Sequence, residues 1–161
     1  MTNKLKNLLL SIVPVVITGA VCSYFSRTGV EGWFATMREN SYMPPNYVFS
    51  TAWSVIYICL MISFYRILSS TYPDKTLAVR LYWQQLILQI LWCIVFFGMQ
   101  MPLIGGLIIL WLIIAVFRMI RAFLKISTFA GSLNYFYFLY ICFAAFLNWA
   151  FLYGNSLIKT F

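Results

Sequence analysis

The chain has no histidine and only three acidic residues, Glu31, Glu39 and Asp74, among its 161 residues. Hydrolytic and metal-dependent chemistry needs imidazole or carboxylate groups brought together, so hydrolases, zinc enzymes and histidine-ligated haem proteins fall away. No catalytic residue of the usual kinds, no metal site and no resident cofactor is expected. The four cysteines, Cys22, Cys59, Cys93 and Cys142, fall singly in apolar segments with no C-x-x-C pair. They indicate neither a disulfide framework nor a metal knuckle and read as small buried apolar residues. Charge is scarce as well, at 9% of residues against 63% hydrophobic, which lies outside the range of soluble domains.

What the chain does have is long apolar runs. Five of them, at about 8–25, 46–68, 77–98, 103–124 and 133–152, approach the roughly 20 residues that cross a bilayer as helix. The expected fold is all-α, a single domain over 1–161 built as an integral membrane bundle of five transmembrane helices. The first run follows Lys4 and Lys6 and is longer than most signal-peptide cores, so it reads as a span. Residues 27–45 form a polar first loop, in which Trp33, Phe34 and Met37 mark one side of a short amphipathic interfacial helix. Pro44 and Pro45 open the second span, because proline is tolerated where a helix amide has no partner. Residues 127–132 read as a polar break, and Tyr153, Gly154 and Asn155 as the stop of the fifth span.

The net charge of +8 suggests nucleic acid only at first sight, since the basic residues sit at span ends beside lipid headgroups. Eight of them fall on the side of the N-terminus and three, Arg27, Arg38 and Lys159, on the other. That asymmetry predicts a bacterial cytoplasmic membrane with a cytoplasmic N-terminus, and membrane lipid rather than nucleic acid as the surroundings.

Polar side chains inside a span should face other helices or a cavity. Gln85, Gln89 and Trp92 share one face of the third span; Tyr137, Tyr140, Ala144 and Asn148 share one face of the fifth. Phe49, Trp53, Tyr57, Leu60 and Phe64 make a stripe on the second. Two readings of these faces stay open at this point. The rings and amides pack and glue the helices together, or they wall a cavity that takes a large planar apolar ligand by stacking and burial.

The segment Tyr42-Met-Pro-Pro-Asn-Tyr-Val-Phe-Ser-Thr-Ala-Trp-Ser-Val-Ile-Tyr57 resembles the signature of the translocator protein family, also called tryptophan-rich sensory proteins or peripheral benzodiazepine receptors. In that signature a Pro-Pro pair precedes a tryptophan by eight residues and a tyrosine by twelve, as Pro45, Trp53 and Tyr57 do here. Trp33-Phe-Ala, Leu88-Gln-Ile-Leu-Trp-Cys-Ile-Val-Phe-Phe-Gly98 and Phe143-Ala-Ala-Phe-Leu-Asn148 agree with the family in order. The resemblance implies a five-helix bundle, often a homodimer, that binds porphyrins, aromatic drugs and, in some members, cholesterol. It implies pocket or signature positions at Trp53, Tyr57, Trp92, Ala144, Leu147 and Asn148, to which the inward faces add Phe49, Gln89 and Tyr140 as expected ligand contacts, and a lid formed by the first loop with Trp33, Pro44 and Pro45.

Some bacterial members of that family are associated with light- and oxygen-dependent breakdown of protoporphyrin, for which a tryptophan pair on the second and fifth helices is implicated. Here the pair is Trp53 and Tyr140, and a phenol is harder to oxidise than an indole unless its proton has somewhere to go. Other departures are Tyr42, Asn40, Gln89 and Phe136 at positions usually held by tryptophan, proline, asparagine and proline. Arg80 and Gln84 stand where some members place small residues for helix contact. The expected function is a membrane receptor or carrier for porphyrin-type and other planar apolar ligands. The alternatives are an enzyme degrading protoporphyrin through Trp53 and Tyr140, or a sterol- or lipid-binding regulatory protein, for which 147–159 carries a weak cholesterol-type pattern.

Overall fold

The computed structural model describes residues 3–31 and 46–158, with side chains over 3–29 and 47–153. Helix α1 spans Asn3–Glu31, α2 Asn46–Ser69, and α3 Thr76–Cys93, which runs on as a π-helical turn over Ile94–Gly98. Helix α4 spans Pro102–Ile126, a short α5 follows at Thr128–Ser132, and α6 covers Tyr135–Ile158. Among the described residues five segments are long and apolar enough to cross a membrane, and there is no strand. Helices satisfy their own backbone hydrogen bonds, which hydrocarbon demands.

Three boundaries differ from the sequence reading. Helix α1 extends past the apolar run at both ends and takes up 27–31 of the expected polar loop; the expected interfacial helix, with Trp33, Phe34 and Met37, and the lid residues Trp33, Pro44 and Pro45 lie outside the described residues. The break at 127–132 is helical, because Ser127 Oγ accepts the amide of Ala130 at 3.3 Å and starts α5. Tyr153-Gly154-Asn155 does not stop α6, which continues to Ile158. Glycine lowers helix propensity by about 1 kcal/mol but removes no amide donor, so it breaks nothing by itself.

Around the bundle α1 packs on α2 and α3, α4 on α3 and α6, and α6 touches α2 more sparsely to close the ring. The half of the bundle at the N-terminal end of α1 is packed solid. There the rings of Phe64 and Tyr82 stack at 3.6 Å with planes 7° apart, and Phe123 lies on the far side of Tyr82 at 6.5 Å. Ile67, Met119 and Ala130 are fully buried around this stack. Helix ends at this level are tied down by polar groups: Lys75 Nζ donates to the carbonyls of Leu68 and Ser70, both at 2.8 Å. Beside it the amide of Thr76 donates to Asp74 Oδ1, which holds that carboxyl below its ordinary range.

The opposite half is held by a reciprocal lock. A Cβ on Gly98 would stand 2.7 Å from the ring of Phe25, and one on Gly29 would stand 2.9 Å from Phe97 Cβ and 3.1 Å from its carbonyl. Each ring of one helix thus occupies the space over a glycine of the other. The π turn, closed by Met99 N–H to Ile94 O at 2.8 Å, adds a residue to the turn and sets Phe97 on that glycine. Truncating the solid half should be costly: Phe64→Ala is expected to lower unfolding free energy by about 3 kcal/mol, read by denaturant titration in mixed micelles. A loss under about 1 kcal/mol would show that the ring stack does not carry this half.

Candidate ligand cavity

Above the stack the helices part around a cavity of about 680 Å³. The stripe on α2 divides at this level. Leu60 and Phe64 pack in the core, whereas Phe49, Trp53 and Tyr57, with Met61 on the same helix, face the hollow. Helix α3 adds Trp92, Cys93, Phe96 and Phe97, and α6 adds Ala144, Leu147 and Asn148. Seven of the nine residues expected to contact ligand therefore wall one space: Phe49, Trp53, Tyr57, Trp92, Ala144, Leu147 and Asn148.

The other two stand behind the wall. Gln89 is fully buried and does not line the cavity. Its Nε2 donates to the Tyr57 hydroxyl at 2.9 Å, and its Oε1 accepts from the Tyr137 hydroxyl at 3.3 Å. Tyr137 also donates to Gln85 Oε1 at 2.9 Å, so one layer of amides and phenols joins α2, α3 and α6 beneath the cavity. Tyr140 also lies outside the lining. Its ring meets that of Trp53 edge-on at 5.5 Å, so the two rings touch and leave no space between them. The Tyr140 hydroxyl is buried without a hydrogen-bond partner among the described residues.

Asn148 is fixed at both ends of its amide. Its Nδ2 donates to the carbonyl of Pro102 at 2.9 Å, and its Oδ1 faces Trp92 Nε1 at 3.5 Å. Gly106 of α4 makes this approach possible, since a Cβ there would stand 3.2 Å from the Trp149 ring and 3.4 Å from Asn148 Nδ2. Trp92 in turn stacks on Phe96 at 5.7 Å with planes 19° apart. The indole of Trp92 is thereby held by a hydrogen bond on its edge and a ring on its face.

The whole contribution of α1 escaped the sequence reading. Val15, Gly19, Cys22 and Ser26 line the cavity at helical spacing, and Arg27 stands at the same end. A Cβ on Gly19 would sit 3.1 Å from the Tyr57 ring, so the missing side chain lets that ring lie against α1. The available signal was a stripe of small residues on a helix otherwise full of leucine, isoleucine and valine, the mark of a close helix contact in membranes.

The fold and this site define a class: a multi-pass α-helical membrane protein with an aromatic-walled cavity inside its bundle. A sequence model of the TspO/MBR family matches residues 10–153. The chain is 33% identical to the tryptophan-rich protein TspO of Archaeoglobus fulgidus over 143 residues, covering 89% of this chain and 93% of that one. It is 28% identical to the tryptophan-rich protein TspO of Chlorobaculum tepidum over 159 residues, covering 96% and 99%. It is 28% identical to the protein CrtK of Rhodobacter capsulatus over 141 residues, covering 86% of each. The chain belongs to the TspO/MBR family.

The Gln89 layer can be tested by coupling. Gln89→Leu takes the amide donor from the Tyr57 hydroxyl and one of two acceptors from Tyr137, which keeps Gln85, and is expected to cost about 1–2 kcal/mol of stability. In the double variant with Tyr57→Phe the loss should be smaller than the sum of the two single losses by at least about 0.5 kcal/mol. Strict additivity in unfolding titrations would show that the bond does no structural work.

Proposed function

We propose that this protein is a membrane receptor or carrier that takes planar apolar ligands of the tetrapyrrole type into the cavity. The observation that supports this reading is the lining itself, which brings Phe49, Trp53, Tyr57, Trp92 and Phe96 around one hollow of about 680 Å³. That volume lies within the range of small-molecule sites. Burying about 400 Å² of ligand at about 25 cal/mol per Å² offers roughly 10 kcal/mol before association costs, enough for micromolar binding without an ion pair. No acidic residue is among the described lining, and binding of this kind needs none.

A second reading, photo-oxidative porphyrin breakdown, draws on the 5.5 Å contact of Trp53 with Tyr140, which suits passage of a hole between rings. One titration addresses both readings. Protoporphyrin added to the protein in lipid nanodiscs should quench tryptophan fluorescence, and Trp53→Ala should weaken binding by about 1–3 kcal/mol. Unchanged affinity in a folded Trp53→Ala variant rejects the cavity as the binding site. Under illumination, porphyrin loss no faster than that of free porphyrin rejects the enzymatic reading.

We also propose the cytoplasmic membrane of a bacterium as the location, with the N-terminus inside, on the eight-to-three distribution of basic residues. A reporter fused after Phe161 should be active outside the cytoplasm; activity inside would overturn the orientation.

A further inference from the structure

Two thiols meet in the wall of the cavity. Cys22 comes from α1 and Cys93 from the last α-helical turn of α3, and both line the hollow while being more than nine-tenths buried. The Cys22 thiol points at the carbonyl oxygen of Gln89, 3.8 Å away. In an α-helix that carbonyl accepts the amide four residues further on, which is the amide of Cys93. The Cys22 sulfur thus sits beside the Cys93 backbone, and both side chains line the same stretch of wall. Cys59 and Cys142 are only half-buried and stand outside the lining.

We propose that Cys22 and Cys93 form a paired-thiol modification site, converted by a membrane-soluble hydroperoxide into a disulfide that ties α1 to α3 across the cavity wall. In the first step one thiol sulfur attacks the hydroperoxide; the O–O bond breaks, the sulfur becomes a sulfenic acid and the alcohol leaves with the thiol proton. In the second the other sulfur attacks the sulfenic sulfur, forming the S–S bond, and the hydroxyl leaves with the second thiol proton as water. Two thiols give up two electrons, and the hydroperoxide accepts them.

Three features favour this site over the other cysteines. The second step is intramolecular between neighbouring thiols of one wall, which raises its effective concentration far above that of any encounter between chains. The product is neutral and apolar, so it carries no desolvation penalty in hydrocarbon. The Cys22 sulfur already points at the Gln89 carbonyl oxygen, which leaves a hydrogen-bond acceptor beside it as its proton departs. Closure would fasten the helix carrying Gly19 to the helix carrying Trp92, the two sides between which a ligand must fit. The inference goes beyond the binding reading and stands whatever ligand the cavity takes.

The test uses the full chain in nanodiscs treated with tert-butyl hydroperoxide, then alkylated after denaturation and digested without reductant. Mass spectrometry is expected to find a Cys22–Cys93 cross-linked peptide, with alkylatable thiols falling from the four free ones to two and restored by dithiothreitol. The Cys59→Ser, Cys142→Ser double variant should form the same link, whereas Cys22→Ser and Cys93→Ser should each abolish it. Four thiols surviving treatment, links to Cys59 or Cys142, links between chains, or separate sulfinic acids on Cys22 and Cys93 would each overturn the proposal. The wild-type chain and the double variant decide the question even if a cavity-facing variant fails to fold.

Discussion

The hydrogen-bonded layer centred on Gln89 is the constraint on which the rest of the architecture depends. In a bilayer no hydrophobic drive separates helix–helix contact from helix–lipid contact, so packing and hydrogen bonds must select one arrangement. Gln89 donates to Tyr57 on α2 and accepts from Tyr137 on α6, and Tyr137 reaches Gln85 one turn below on α3. Three helices are thereby set at one rotation and one height. A slip by one residue on any of them would turn an amide or a phenol toward lipid with no partner, which hydrocarbon penalises. With that rotation set, the aromatic stripe of α2 has no choice but to face inward.

The layer also separates two regimes of packing. Below it, flat rings stack on one another, and Phe64, Tyr82 and Phe123 fill the space they enclose. Above it, large rings stand against glycine and other small residues of α1, and the bundle is kept apart. The lock between Phe25 and Gly98 and between Phe97 and Gly29 holds α1 to the π turn at the far end. Helices pinned at the layer and again at the lock cannot easily collapse onto the space between. A cavity survives where side chains could otherwise have closed it, because both ends of its walls are fixed.

This division explains what could be read from residues alone. The five spans were legible because an apolar stretch of that length has one use in a bilayer, and the inward faces of α2, α3 and α6 followed from the spacing of rings and amides. Depth was not legible. Periodicity places Gln89 and Trp92 on one face, yet Trp92 reaches the cavity and Gln89 lies one turn below, in the layer. Tyr140 likewise shares a face with Ala144 and Asn148, but the Trp53 ring stands between it and the hollow. The π turn left no mark in the pattern, since one extra residue shifts the phase too late in the helix to be noticed. Helix α1 went unread because its signal is the lack of side chains at Gly19 and the smallness of Ser26 and Cys22. A search for rings and amides passes over such a face.

The same geometry weighs binding against radical chemistry. A tyrosine gives up an electron readily only when its proton can move to a neighbour at the same time. Tyr140 touches Trp53, but its buried hydroxyl has no acceptor among the described residues. Tyr57 is bonded by an amide N–H that donates to it and takes no proton, and Tyr137 donates to amide oxygens, which are poor bases and are already engaged in the structural layer. The aromatic groups here are therefore well placed to hold a flat ligand and poorly placed to discharge an oxidised intermediate. Proton acceptors, rather than rings, are what the described wall lacks for chemistry, and stacking alone asks for none.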